Sequence, residues 1–178
     1  MTEEQKELFK KDPLIKLILE QKEPLGHITL VGGAVIDILE GRIPKDYDLT
    51  NIDGRAKKYL NLEYSHDTKT ATTYKTYIFD KRVQLNIQVL KTSIDNFDFS
   101  ISAAILTINH NKEMSLAIDE NAFKLKTLIP QSASWEDRNY ALNSLKRIPH
   151  WKKKGYTIKD ETYLSLLNVI GKKDSKHS

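Results

Sequence analysis

The chain has 178 residues, 39% hydrophobic and 29% charged, which fits a globular domain of ordinary size and excludes disordered and collagen-like classes. It has no cysteine, so a disulfide framework and a thiolate metal site are both excluded. Its net charge of +4 is compatible with a polyanionic partner without demanding one.

The first residues, MTEEQKELFKK, are charged and helical, with no apolar signal region. No run approaches the roughly 18 apolar residues of a membrane span. A soluble cytoplasmic protein without a membrane partner is expected. Residues 3–22 predict one or two helices, broken near Pro13. HITLV (27–31) is a short β-branched strand ending at Gly32-Gly33. Ala34 to Glu40 makes two helical turns that Gly41 stops. KDYDLTN (45–51) reads as a second strand and GRAKKYLNLE (54–63) as a helix.

TYKTYIFDKRVQLNIQVL (73–90) is the clearest hairpin, turning at Asp80-Lys81. In its second arm Val83, Leu85, Ile87 and Val89 face one way, and Arg82, Gln84, Asn86 and Gln88 the other. AILTINHNKEMSLAI (104–118) predicts another hairpin, turning at HNKE. Beyond residue 119 the pattern is helical. Ser134 and Asp137 form a capping box opening a helix that carries Leu142, Leu145 and Ile148 inward, with Pro149 kinking or ending it. A last helix, about 160–170, places Tyr163, Leu166, Leu167 and Ile170 on one face, before a polar tail at 172–178. Strands first and helices last predict an α+β core with a helical C-terminal part.

The chemistry concentrates in VGGAVIDILEGRIPKDYDL (31–49). Residues i and i+2 of a strand share a face, so Asp46 and Asp48 place two carboxylates side by side. Like charges that close repel unless a cation lies between them, and hard carboxylate oxygens suit Mg²⁺ or Mn²⁺. Gly32 and Gly33 free the backbone to approach a phosphate, ahead of a helix start that favours anions. Either feature alone is most often a turn or a solvated edge; their order and proximity raise the pair to a candidate site.

This stretch resembles the head-domain signature of the class II CCA-adding tRNA nucleotidyltransferases and bacterial poly(A) polymerases, within the polymerase-β-type nucleotidyltransferase superfamily. Gly32, Gly33, Asp37, Leu39, Gly41, Arg42, Asp46, Asp48 and Leu49 match it, with the family's twelve residues between Gly33 and Asp46. DNFDFSISAAIL (95–106) is similar to the family segment that handles the nucleotide sugar, matching at Asp98, Phe99, Ile101 and Ala103. NSLKRIPHWKKKGYTI (143–158) resembles the Arg-rich helix that closes the head, through Arg147, Trp151, Gly155 and Tyr156.

The resemblance implies transfer of a nucleoside monophosphate from an NTP to a hydroxyl, with pyrophosphate released. The acceptor it implies is an RNA 3′ end resembling that of tRNA. Asp46 and Asp48 would be the catalytic metal ligands. Gly32, Gly33, Arg42, Asp98 and Arg147 would meet the nucleotide. The implied α+β organisation is an N-terminal helical segment (1–25), a polymerase-β-like nucleotidyltransferase head (26–130) with a small mixed β-sheet flanked by helices, a helical neck (131–171) and a polar tail (172–178).

The chain departs from the family pattern at Ile36, at Asn96-Phe97 and at His150, where arginines are usual. Where the wider superfamily commonly has a third carboxylate on the strand beside Asp-x-Asp, RVQLNIQVL offers Gln84, Asn86 and Gln88. A nucleotide- or RNA-binding member without catalysis is therefore the alternative, and a toxin- or antitoxin-type transferase acting on tRNA or protein a third. Either the chain is a minimal transferase, or a partner or a second copy, in a homo-oligomer, provides the acceptor site. Lys146, Lys152, Lys153 and Lys154 around Trp151 suggest a phosphate-tracking RNA surface with a stacking ring, against the alternative of a solvated helix end with a core tryptophan.

Overall fold

The structure, a computed structural model, describes residues 1–23, 25–50, 52–78, 83–91, 93, 97–131 and 137–171. It divides into two compact units, Met1–Ser93 with Ala104–Ala117, and Ile94–Ala103 with Ile118–Ser178.

The first unit opens with two helices. Helix α1 (Glu3–Lys11) starts at a reciprocal capping box, in which the Thr2 hydroxyl accepts from the Gln5 N–H and the Gln5 side chain accepts from the Thr2 N–H. Asp12 ends α1 and caps α2 (Pro13–Glu20), with Pro13 at the first helical position, where its missing N–H costs nothing. The expected break near Pro13 is thus a junction of two capped helices.

Seven strands follow in one sheet of order β3-β4-β5-β2-β1-β6-β7. They are β1 (Ile28–Val31), β2 (Asp46–Thr50), β3 (Glu63–Asp67), β4 (Ala71–Ile78), β5 (Val83–Leu90), β6 (Ile105–Ile108) and β7 (Met114–Ala117). Every pair is antiparallel except β2 with β5, so the sheet is mixed. Both expected hairpins form, as β4–β5 and β6–β7; the Asp80-Lys81 turn lies outside the described residues.

Alternation decides the faces. Tyr47, Leu49, Leu85 and Ile87 are buried on one face. Helices α1, α2, α3 (Gly33–Leu39) and α4 (Gly54–Tyr59) belong to this side: the Tyr47 hydroxyl donates to Asp12 Oδ2 at 2.9 Å, and Thr76 Oγ1 donates to the Leu60 carbonyl at 2.6 Å. Helix α3 buries Ala34, Val35, Ile36, Ile38 and Leu39, so it is apolar nearly all round, as a helix packed on more than one side must be.

The helix expected over 54–63 ends at Tyr59, and Glu63 begins β3. This strand is at the sheet edge with mostly exposed side chains, so it carries no apolar alternation by which to recognise it.

The second unit contains a 3₁₀ turn (Ser100–Ala103), α5 (Glu120–Leu125), α6 (Arg138–Lys153) and α7 (Asp160–Gly171). Asp137 itself caps α6, accepting from the N–H groups of Asn139 and Tyr140; Ser134 lies outside the described residues. The buried side of α6 is Ala141, Ser144, Ile148 and Trp151, not the expected Leu142 and Leu145 with Ile148. Leu142 is 39% exposed, because the small Ala141 and Ser144 and the large Trp151 set the helix rotation. The helix also continues through Pro149, whose side faces solvent while Ile148 and Trp151 anchor the turns on either side. On α7 only Leu166 of the expected apolar face is fully buried; Tyr163 and Leu167 are 41% and 40% exposed.

Candidate functional site

The first unit gathers the glycine turn and the aspartate pair. Strand β1 runs antiparallel to β2 with Val31 opposite Asp48, so the chain leaves the sheet at Gly32 beside that carboxylate. Gly32 has φ +80° and ψ −149°, a backbone region open essentially to glycine alone. Its N–H donates to the Ala104 carbonyl at 2.8 Å, which holds the turn to β6. Gly33 then begins α3, a helix of seven residues.

Asp46 and Asp48 are half-buried on the sheet face opposite Tyr47 and Leu49, as period-2 alternation requires. The parallel register sets Asn86 beside Asp46 and Gln88 beside Asp48. On the far side of β5, β4 places Lys75 opposite Asn86 and Thr73 opposite Gln88. On the β5 side the face beside the carboxylates is therefore amide, hydroxyl and ammonium. Among the described residues no group of three or more His, Cys, Asp or Glu is placed to hold a metal.

As a donor set the pair fits a hard divalent cation, which takes one or two carboxylates and completes its shell with water and phosphate oxygens. Asp37 and Arg42 form a brace in the connection from α3 to β2. The Arg42 guanidinium donates to Asp37 Oδ1 from Nε at 3.0 Å and from Nη2 at 2.9 Å, and also pairs with Glu40. The Arg42 N–H bonds the Asp37 carbonyl at 2.8 Å. These contacts fix the path from α3 into the loop that delivers Asp46.

The other expected nucleotide residues belong to the second unit. Asp98 is buried there, receiving hydrogen bonds from Ser102 Oγ at 3.0 Å and from Arg147 Nη1 at 3.3 Å. Arg147 is half exposed, so its guanidinium faces solvent as well as Asp98.

Lys146, Lys152 and Lys153 are exposed on α6, whereas Lys154 is half-buried with Nζ 5.2 Å from the centre of the Trp151 ring. Trp151 corrects the expected stacking role. It is 1% exposed and packs edge-to-face on Tyr156 with ring centroids 5.1 Å apart, so no ring face is open to a base. Its size and apolar surface make it the anchor of this unit's core.

Sequence reasoning does not single out Lys75. The alternation of ATTYKTYI puts it on the polar face, but only strand register sets it across Asn86 from Asp46.

Solved structures share this architecture. The Thermotoga maritima CCA-adding enzyme complexed with tRNA superposes with TM-score 0.57 at 20% identity, over 86% of this chain and 44% of that one. A CCA-adding enzyme in complex with CTP gives TM-score 0.60 at 20% identity, over 90% of this chain and 43% of that one. The fold is that of a nucleotidyltransferase head. A tRNA-processing enzyme with CTP matches similarly, with TM-score 0.57 at 18% identity over 80% of this chain and 43% of that one. The chain spans less than half the length of these neighbours. No protein-family model matches its sequence, and no curated protein sequence does. Among the described residues no helix is long and apolar enough to cross a membrane.

Proposed function

We propose that the protein is a metal-dependent nucleotidyltransferase that moves a nucleoside monophosphate from an NTP to an acceptor hydroxyl, releasing pyrophosphate. The observation that carries this reading is the placement of Asp46 and Asp48 on one sheet face, with Asp48 in register beside the last residue before the Gly32 turn.

In this reading Asp46 and Asp48 hold a divalent cation through their carboxylate oxygens. A divalent ion there would neutralise phosphate charge and polarise the α-phosphate for in-line displacement. Gly32 and Gly33, which carry no side chain, let the triphosphate approach the backbone at the end of β1. The Asp37–Arg42 brace keeps the loop before Asp46 in place, so that the two carboxylates remain aligned. Arg42, Asp98 and Arg147 are assigned to the nucleotide, Arg147 through the solvent-facing side of its guanidinium.

The proposed acceptor is an RNA 3′ end with tRNA-like character, tracked by Lys146, Lys152, Lys153 and Lys154. The neighbours' complexes with tRNA and CTP support this choice. The amides of Asn86 and Gln88 beside the carboxylates favour a second reading, nucleotide binding without transfer.

Incubation with each labelled NTP, Mg²⁺ or Mn²⁺ and total RNA tests the two. Label on RNA that disappears with Asp46→Ala/Asp48→Ala, and with periodate-oxidised 3′ ends, is the outcome expected of the transferase. Retained NTP binding with no label under either metal supports the second reading.

A further inference from the structure

We infer that the Asp46–Asp48 pair takes one divalent cation per bound nucleotide, and that Lys75 supplies the positive charge on the β5 side of the pair, where a second cation would otherwise lie. The inference rests on the reading of Asp46 and Asp48 as metal ligands and adds the number of ions and a residue that acts with them.

Two cations side by side need several anionic oxygens to offset their repulsion, because a neutral amide supplies a ligand but no charge. The positions that flank the carboxylates on β5 are Asn86 and Gln88, both neutral. Asn86 is further constrained by a chain of hydrogen bonds along the face. The Tyr77 hydroxyl donates to Gln84 Oε1 at 3.4 Å, and Gln84 Nε2 donates to Asn86 Oδ1 at 2.8 Å. The Asn86 oxygen, the atom that would ligate a metal, is engaged by Gln84. Its amide nitrogen is a donor and no metal ligand.

One strand further, Lys75 pairs directly with Asn86, and residues directly opposite in an antiparallel pair share a face. Two strand spacings separate Lys75 from Asp46, roughly 10 Å between Cα atoms, which a lysine stem and a metal-bound phosphate span together. An ammonium and amide donors at this flank repel a cation and attract phosphate oxygens. Beyond Lys75, β3 sets Glu63 opposite it, three strand spacings from Asp46; the two nearer positions, Asn86 and Lys75, carry no carboxylate, so they suit the anionic end of a nucleotide and not a metal of their own.

The test counts Mn²⁺ by electron paramagnetic resonance on the full chain, with an α,β-methylene NTP that cannot be cleaved. The expected result is one Mn²⁺ per bound nucleotide. Lys75→Gln should keep that count and weaken nucleotide binding by about tenfold. The double variant Asn86→Asp/Lys75→Gln should take two.

Two Mn²⁺ per nucleotide in the native chain overturns the inference and leaves the transferase reading standing. A double variant that still takes one shows that Asn86 and Lys75 do not set the number, and overturns their assignment. Nucleotide and Mn²⁺ binding that Asp46→Ala/Asp48→Ala leaves unchanged removes the metal role of the pair, and with it both proposals. The native count needs no variant, so a variant that fails to fold does not shield the inference.

Discussion

Asp12 shows how much a single side chain joins. Its Oδ1 accepts from the Leu14 and Ile15 N–H groups at 3.0 and 3.1 Å, capping α2, and its Oδ2 accepts from the Tyr47 hydroxyl. Tyr47 lies between Asp46 and Asp48, so this contact ties the helical layer to the strand that carries the candidate site. Burial raises the Asp12 carboxyl above its ordinary value, and the three donors offset this only in part. The same burial, with the nearby Asp12 charge, pushes the Tyr47 phenol well up, so it stays a donor. Because the folded chain holds the Asp12 proton more tightly than the unfolded chain does, the stability linked to Asp12 is fully present below the ordinary carboxylate range. It is lost as pH rises through the raised value. Asp12→Asn keeps a cap oxygen without the buried charge. It should therefore melt at or above the native temperature at neutral pH, with the native chain regaining ground below about pH 4. Asp12→Ala, which loses the cap, should cost about 1 kcal/mol at neutral pH. Thermal melts of the three proteins across pH check both.

At the scale of elements, the sheet depends on how α4 and β4 are joined. Thr76 is 1% exposed and gives its hydroxyl proton to the Leu60 carbonyl just past the end of α4. A helix end leaves carbonyls unsatisfied, and a buried one is costly. Thr76→Val preserves shape but strands that carbonyl, and should cost about 1–3 kcal/mol in urea unfolding with an unchanged slope. Legibility differs sharply among the elements. The arms of β4 and β5, the β6–β7 hairpin and the short α3 all follow from alternation or from glycine stops. Strand β3 escapes because its exposed edge position leaves no period to read. The rotation of α6 escapes because leucine count favours Leu142 and Leu145, whereas packing favours the positions where Ala141 and Ser144 allow close approach and Trp151 is enclosed.

For the molecule as a whole, the segment from residue 94 to 103 is grouped with helices that come later in the chain, not with the strands on either side of it. Phe99 bridges Pro130, the Ser100 N–H bonds the Ile129 carbonyl at 2.8 Å, and Ser100 Oγ donates to Asp119 Oδ2 at 2.6 Å. The caps this completes favour ionised Asp119, whose carboxyl the Ala122 N–H and then Ser100 hold below its usual value. Phe99 and Ile101 are fully buried. A fragment ending at Ala117 keeps every strand but loses these partners. It should show strand-type circular dichroism together with stronger binding of a hydrophobic dye than the full chain. A fragment that binds no dye would show that the segment needs no later helix.

The sequence by itself determined the local chemistry: that Asp46 and Asp48 share a face, that glycines precede them, and that the amides of β5 alternate with apolar residues. These are consequences of covalent spacing and backbone period, which need no partner strand. Only the tertiary structure decided the neighbours. Strand register set Asn86 beside Asp46 and Lys75 beyond it, and core packing withdrew Trp151 from solvent. Register and burial arise from pairings between distant segments, and a one-residue slip would turn every one of those side chains to the other face.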